Sequence, residues 1–253
     1  MRRALFVFAL GCLLTAAPTL AQPGPGVALR WSHCFGEGTG PFNRTFACDT
    51  NAGFEELIGS FAIAEDMVHV SGNEIVVDLS TTYPYAYMPV PPSGPPLPEW
   101  WKFKNAGTCR QNALSVSFVA DPGNVVCQDW GAGQEVGGLG AYNIDFRGPG
   151  TARILAVVAV PPSALQSLSA GTEYYSFTLR IAHIKTVGTG ACGGCGTPIY
   201  IAFNSIKVTT DTAANDHLYS GPLNGADSNF ALWNQSPVPT RAASWGALKS
   251  RYR

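Results

Sequence analysis

Cys192 and Cys195 lie three apart in the stretch VGTGACGGCGTPIYIAF, the spacing of a redox dithiol or of half a zinc site. A redox pair normally opens a helix, whose N-terminus lowers the thiol pKa, but here Gly-Thr-Pro and a β-rich run follow. Zinc would need two more ligands, and no second C-x-x-C or H-x-x-x-H supplies them. A structural clip is the expectation for this pair.

The other chemistry-bearing residues are scattered. No nucleophile–base–acid set can be assembled from local spacing around His33, His69, His183 or His217, and His69 and His183 read as satisfied sheet residues. No G-x-S-x-G, H-E-x-x-H or phosphate loop is present. Glu55-Glu56 and Glu65-Asp66 are adjacent carboxylates, which on a strand point to opposite faces, so a solvated surface is expected for them rather than acid–base work. Asp211, Asp216 and Asp227 could offer oxygen to calcium, but without ordered D-x-D-x-D-G spacing. No catalytic residue, metal or cofactor is expected.

An aromatic cluster is more suggestive. Tyr83, Tyr85 and Tyr87 enter a proline-rich loop at 83–99, and Trp100 and Trp101 leave it. Such side chains stack on sugars or peptides at low entropic cost, and proline would hold them in place. The alternative is that Trp101 and Phe103, two apart, begin a strand whose inner face they fill.

Strands must position all of these groups. Short alternating runs recur at 61–70, 74–79, 113–119, 141–146, 152–160, 173–184 and 198–208, which indicates an all-β antiparallel sandwich or jelly roll in one domain, 22–237. In EYYSFTLRIAHI the pattern puts Tyr175, Phe177, Leu179 and Ile181 on the inner face. Ser71-Gly72-Asn73 reads as a hairpin turn pairing the first two runs, and PPSALQSL (161–168) as one or two helical turns begun by proline.

The ends carry addresses. Arg2 and Arg3, an apolar run and Thr19-Leu20-Ala21 form the layout of a signal peptide over 1–21; Ala9-Leu10-Gly11-Cys12 is a poor lipobox, because apolar sequence continues past Cys12. No later segment approaches the roughly 20 apolar residues of a membrane helix. Six further cysteines in an exported chain imply three disulfides. Of fifteen connectivities, sequence grouping selects Cys34–Cys48, Cys109–Cys127 and Cys192–Cys195. Between 22 and 237, 17 acidic residues against 10 Lys plus Arg leave the body at −7, with no basic patch, which argues against nucleic acid.

The last residues, 238–253, carry +4 from Arg241, Lys249, Arg251 and Arg253. Ser244 can cap a short helix that puts Trp245, Leu248 and Tyr252 on one face and the cations elsewhere. Nine residues with Gly246 among them are too few to be helical alone, so the segment awaits a partner. After the Pro237 and Pro239 linker, the order Thr-Arg, Ser-Trp-Gly, Leu-Lys and terminal aromatic-Arg resembles a short C-terminal tag found on otherwise different exported bacterial proteins. The alternative is a terminus whose aromatics tuck onto the sandwich.

The body, through Cys34 with GEGTG, NRTFACDTN, WWKFKNAGTCRQ, NVVCQDW, TARILAVVAVPPSAL and VGTGACGGC with IAFNSI, resembles a set of uncharacterised secreted bacterial proteins over most of 29–235. That resemblance implies no activity and is in keeping with three local cysteine pairs. The reading from sequence is therefore a non-enzymatic exported protein, secreted or at the cell surface. It would bind a glycan or other surface component or serve as a structural part, with the tail addressing sorting machinery; the alternative is a secreted glycan-active hydrolase.

Overall fold

Thirteen strands in two sheets make up the fold, seen in a computed structural model that describes residues 24–235 except 39, 83–93, 105–106, 121–125 and 226. In chain order they are β1 (Gly26–Trp31), β2 (Asn43–Arg44), β3 (Phe54–Ala62), β4 (Met67–Ser80), β5 (Leu114–Ser117), β6 (Gln128–Asp129) and β7 (Val136–Ile144). There follow β8 (Thr151–Ala159), β9 (Gln166–Leu168), β10 (Tyr174–Ala182), β11 (Ile199–Thr210), β12 (His217–Tyr219) and β13 (Phe230–Trp233). One sheet runs β1-β3-β10-β5 with β6 beside β10; the other runs β2-β13-β11-β4-β8-β7, with β12 on β11 and β9 on β4. The chain is an all-β sandwich. Among the described residues no helix is long and apolar enough to cross a membrane.

Alternation builds the core. On β8, Ala152, Ile154, Ala156 and Val158 are buried while Val157 and Ala159 face outward. On β11 the register slips between Phe203 and Ser205, so burial resumes at Ile206 and Val208 instead of continuing the original phase. Phe203 meets Phe177 of the opposite sheet edge-on, ring centroids 5.0 Å apart. The Phe177 ring also covers Gly59 of the adjacent strand, where any Cβ would run into it.

Three local expectations are corrected. β4 runs unbroken through Ser71-Gly72-Asn73, so 67–70 and 74–79 are one strand and not a hairpin pair, and 61–70 is itself divided where the chain crosses at 63–66 from one sheet to the other. Gly72 serves close strand approach rather than a turn: a Cβ there would lie 2.5 Å from the Val158 carbonyl oxygen. Residues 161–168 form a single 3-10 turn, Pro162–Ala164, and then β9. On β10 a bulge between Tyr175 and Phe177 places Tyr174, not Tyr175, inside with Phe177, Leu179 and Ile181; Tyr175 faces the other way and donates to Thr178 Oγ1 at 2.9 Å.

The six cysteines among the described residues are all oxidised, but not as local pairs. The bonds are Cys34–Cys127, Cys48–Cys195 and Cys109–Cys192, spanning 93, 147 and 83 residues. The sandwich is responsible. Cys48 follows β2, whose neighbour β13 pairs with β11, and Cys195 precedes β11, so sheet order brings together two ends far apart in sequence. Cys192 and Cys195 thus belong to different bridges, and the clip, redox and zinc readings of C-x-x-C fall together. On the chain-entropy account each such loop constrains the unfolded chain by roughly 4.5–5 kcal/mol, against about 2–3 for local pairs, though nested bridges are not additive. Disulfides of this number mark a chain that folds in an oxidising, extracytoplasmic environment.

Candidate functional site

Trp100 and Trp101 leave the candidate list first. Both are fully buried, in a 3-10 turn at Glu99–Trp101 rather than on a strand. Trp100 stacks on Trp233 with centroids 5.2 Å apart and donates its indole N–H to Thr186 Oγ1 at 2.9 Å. With Trp31, Phe46 and Phe103 they fill the sandwich, because so much apolar area is stabilised more by leaving water than by waiting for a ligand. Tyr83, Tyr85 and Tyr87 lie outside the described residues, as do Cys12, Trp245, Leu248 and Tyr252.

The histidines and carboxylates resolve into separate pairs. His33 contacts Glu37 at 2.6 Å, His69 Asp211 at 3.2 Å and His217 Glu65 at 3.6 Å. His183 is buried between the Ala52 carbonyl (2.7 Å) and Glu55 (3.1 Å), with the Phe46 ring stacked on it. Glu55 also meets Arg44, so this carboxylate is a buried ion-pair partner rather than part of a solvated surface; Glu56 points away to Arg180 at 2.8 Å. Asp216 accepts the Thr210 N–H and pairs with Lys207 at 2.9 Å, apart from the Asp211–His69 pair. Among the described residues the one close Cys/His/Asp/Glu group is Cys34, Cys127 and Glu173, and its two sulfurs are bonded to each other.

Glu173 of that group lines an open cleft of about 590 Å³. Its construction begins at the Cys34–Cys127 bridge, which fixes the start of the 3-10 turn Phe35–Glu37. Glu173, just before β10, reaches across to accept the first amides of that turn, Phe35 N–H at 2.8 Å and Gly36 N–H at 2.7 Å. A Cβ at position 36 would sit 2.5 Å from Glu173 Oε2, so a larger residue there would push the Glu173 carboxylate off the turn. Glu37 closes the turn by accepting the Cys34 N–H at 3.0 Å.

Arg30, near the end of β1, forms the opposite wall with Asn224. Its guanidinium lies over the Phe35 ring at 5.1 Å and the Phe42 ring at 5.9 Å, while Nη1 donates to the Leu29 and Ser228 carbonyls at 2.7 and 2.9 Å. Burial lowers the Arg30 pKa, and the charges of Asp227 and Glu173 oppose that shift. Gly36, Gly38, Gly40 and Gly171 line the rest and leave backbone uncovered. Gly38 sits in the left-handed region with open space around it. The GEGTG run was the available sequence signal for this loop; Arg30, Glu173 and Asn224, some 140 and 50 residues apart in the chain, gave none.

Comparison with protein-family models, with curated proteins and with solved structures gave no match.

Proposed function

We propose that this chain is an exported, non-enzymatic binding module of the cell surface or medium, and that the cleft between Arg30 and Glu173 is where it holds its ligand. The observation that carries the reading is this cleft, braced on one side by the Cys34–Cys127 bridge and opened by four glycines. Rigid, preformed concavities of this volume are typical ligand seats. Binding is favoured over glycan hydrolysis by the state of Glu173, the one carboxylate in the described lining: both its oxygens already accept backbone N–H groups, which suits an acceptor held still more than a general acid that must carry a proton.

Purified chain mixed with isolated cell envelope should co-sediment with it, and Arg30→Ala should release it while keeping a cooperative melt. New reducing ends from soluble polysaccharides would revive the hydrolase. The tail belongs to the same proposal as an address: removing 238–253 should shift the protein among periplasm, surface and medium and change stability by less than about 1 kcal/mol. A large fall in melting temperature with unchanged localisation would make the tail part of the fold instead.

A further inference from the structure

The balance of charge in the cleft narrows what it can hold. Arg30 and Glu173 are the charged members of the described lining, one of each sign, and each is already answered. Glu173 and Asp227 act on Arg30, and the Leu29, Asp227 and Ser228 carbonyls take its Nη1; two amides take Glu173. A fully charged ligand would be stripped of water to meet a partner whose charge is already compensated, which gains little. The volume, about 590 Å³, is that of a small-molecule seat rather than of a single ion.

What remains unspent is directional and neutral. Nε and Nη2 of Arg30 have no hydrogen-bond partner among the described residues, and these N–H groups are donors only. Each Glu173 oxygen has a second lone pair. Asn224 is exposed; its Oδ1 takes the Gly24 N–H, which leaves its amide N–H groups to donate. Phe35 is half-buried, and the bare glycine backbone permits close approach. Fixed donors and acceptors lining one cleft with a partly exposed ring match a molecule whose hydroxyls both donate and accept and whose C–H face is apolar.

We propose that the cleft seats an uncharged sugar of a surface or cell-wall glycan, with Arg30 and Asn224 donating to its hydroxyls, Glu173 accepting from them, and the exposed part of Phe35 beside its apolar face. This rests on the reading of the chain as a binding module that uses this cleft, and the test separates the two.

Full-length exported protein would be titrated calorimetrically with neutral hexasaccharides of glucose, mannose and N-acetylglucosamine, with a uronate hexasaccharide, with inorganic phosphate and with an uncharged hexapeptide. At least one neutral sugar should bind, with affinity changing less than about twofold between low and high salt. Glu173→Gln and Asn224→Gly should each weaken that binding about tenfold, as expected for loss of one well-placed hydrogen bond. Asn224 has positive φ, so glycine keeps its backbone shape, and melting curves would show both variants folded. Binding of the uronate, phosphate or peptide alone, weakened by the same substitutions, would overturn the neutral-sugar assignment but leave the cleft as the binding site. A neutral sugar that binds both variants unchanged would place sugar binding elsewhere and overturn both, as would no binding by any probe.

Discussion

The guanidinium carbon of Arg110 lies 3.5 Å from the centre of the Trp100 ring, in the interior and with no carboxylate bonded to it among the described residues. Nη1 donates to the Trp100 carbonyl at 2.8 Å and Nη2 to the Ala182 carbonyl. Burial pulls its pKa down to about 9, which leaves the cation charged at neutral pH. Backbone carbonyls and an aromatic face therefore do the work usually given to a counter-ion, and they tie the loop after β4 to the end of β10.

Arg110→Ala should cost about 3 kcal/mol or more in denaturant unfolding, through two orphaned carbonyls, a cavity and the lost cation–ring contact. Arg110→Lys should lie between Ala and the native residue, since an ammonium cannot serve both carbonyls as a planar fork does. A loss within 0.5 kcal/mol for Ala would mean that the interior rearranges around the gap.

Glu135 makes stability fall as pH rises. Its pKa is pushed up from 4.5 to about 7, by burial first and then by the neighbouring Asp129, and both carboxylates converge on the Gly131 N–H at 2.8 and 3.2 Å. The fold prefers the protonated acid. This group's contribution is thus full below about pH 4.5, declines up to about pH 7 and stays constant beyond it. Glu135→Gln removes the penalty, so its melting temperature relative to the native protein should rise between about pH 5 and pH 8. An equal difference at every pH would refute the raised pKa of Glu135.

Peptide mapping without reduction should recover Cys34–Cys127, Cys48–Cys195 and Cys109–Cys192 and no free thiol at these six positions. Replacing Cys48 and Cys195 together by Ala should cost roughly 2–5 kcal/mol, because this bridge closes the longest loop.

Gly59→Ala should destabilise by about 1–3 kcal/mol, since the new methyl runs into the Phe177 ring that lies on this glycine. Measured in a Phe177→Leu background the cost should shrink, and the coupling in a double-mutant cycle reads the contact directly. Additive costs would show that the ring moves aside freely.

Where the deciding physics is local, it can be read along the chain. Alternation at 152–160 and 198–208 marked β8 and β11 within a residue or two, because a strand with one buried face needs its period only from its neighbours in sequence. The number of cysteines implied full oxidation for the same kind of reason, a property of compartment and count. The bulge at Tyr175 and the continuity of β4 through Gly72 were already beyond reach, since each depends on what the adjacent strand presents. Partner choice was further still. Cys34 meets Cys127, Trp100 meets Trp233 and Arg30 faces Glu173 only once two sheets have stacked and a particular strand order has carried distant segments to one place. Burial, charge compensation and a ligand-sized cleft are properties of that stacking, so the sequence determined the all-β class, strands such as β8 and β11 and the presence of disulfides, and the tertiary structure decided which side chains are core and which remain free to bind.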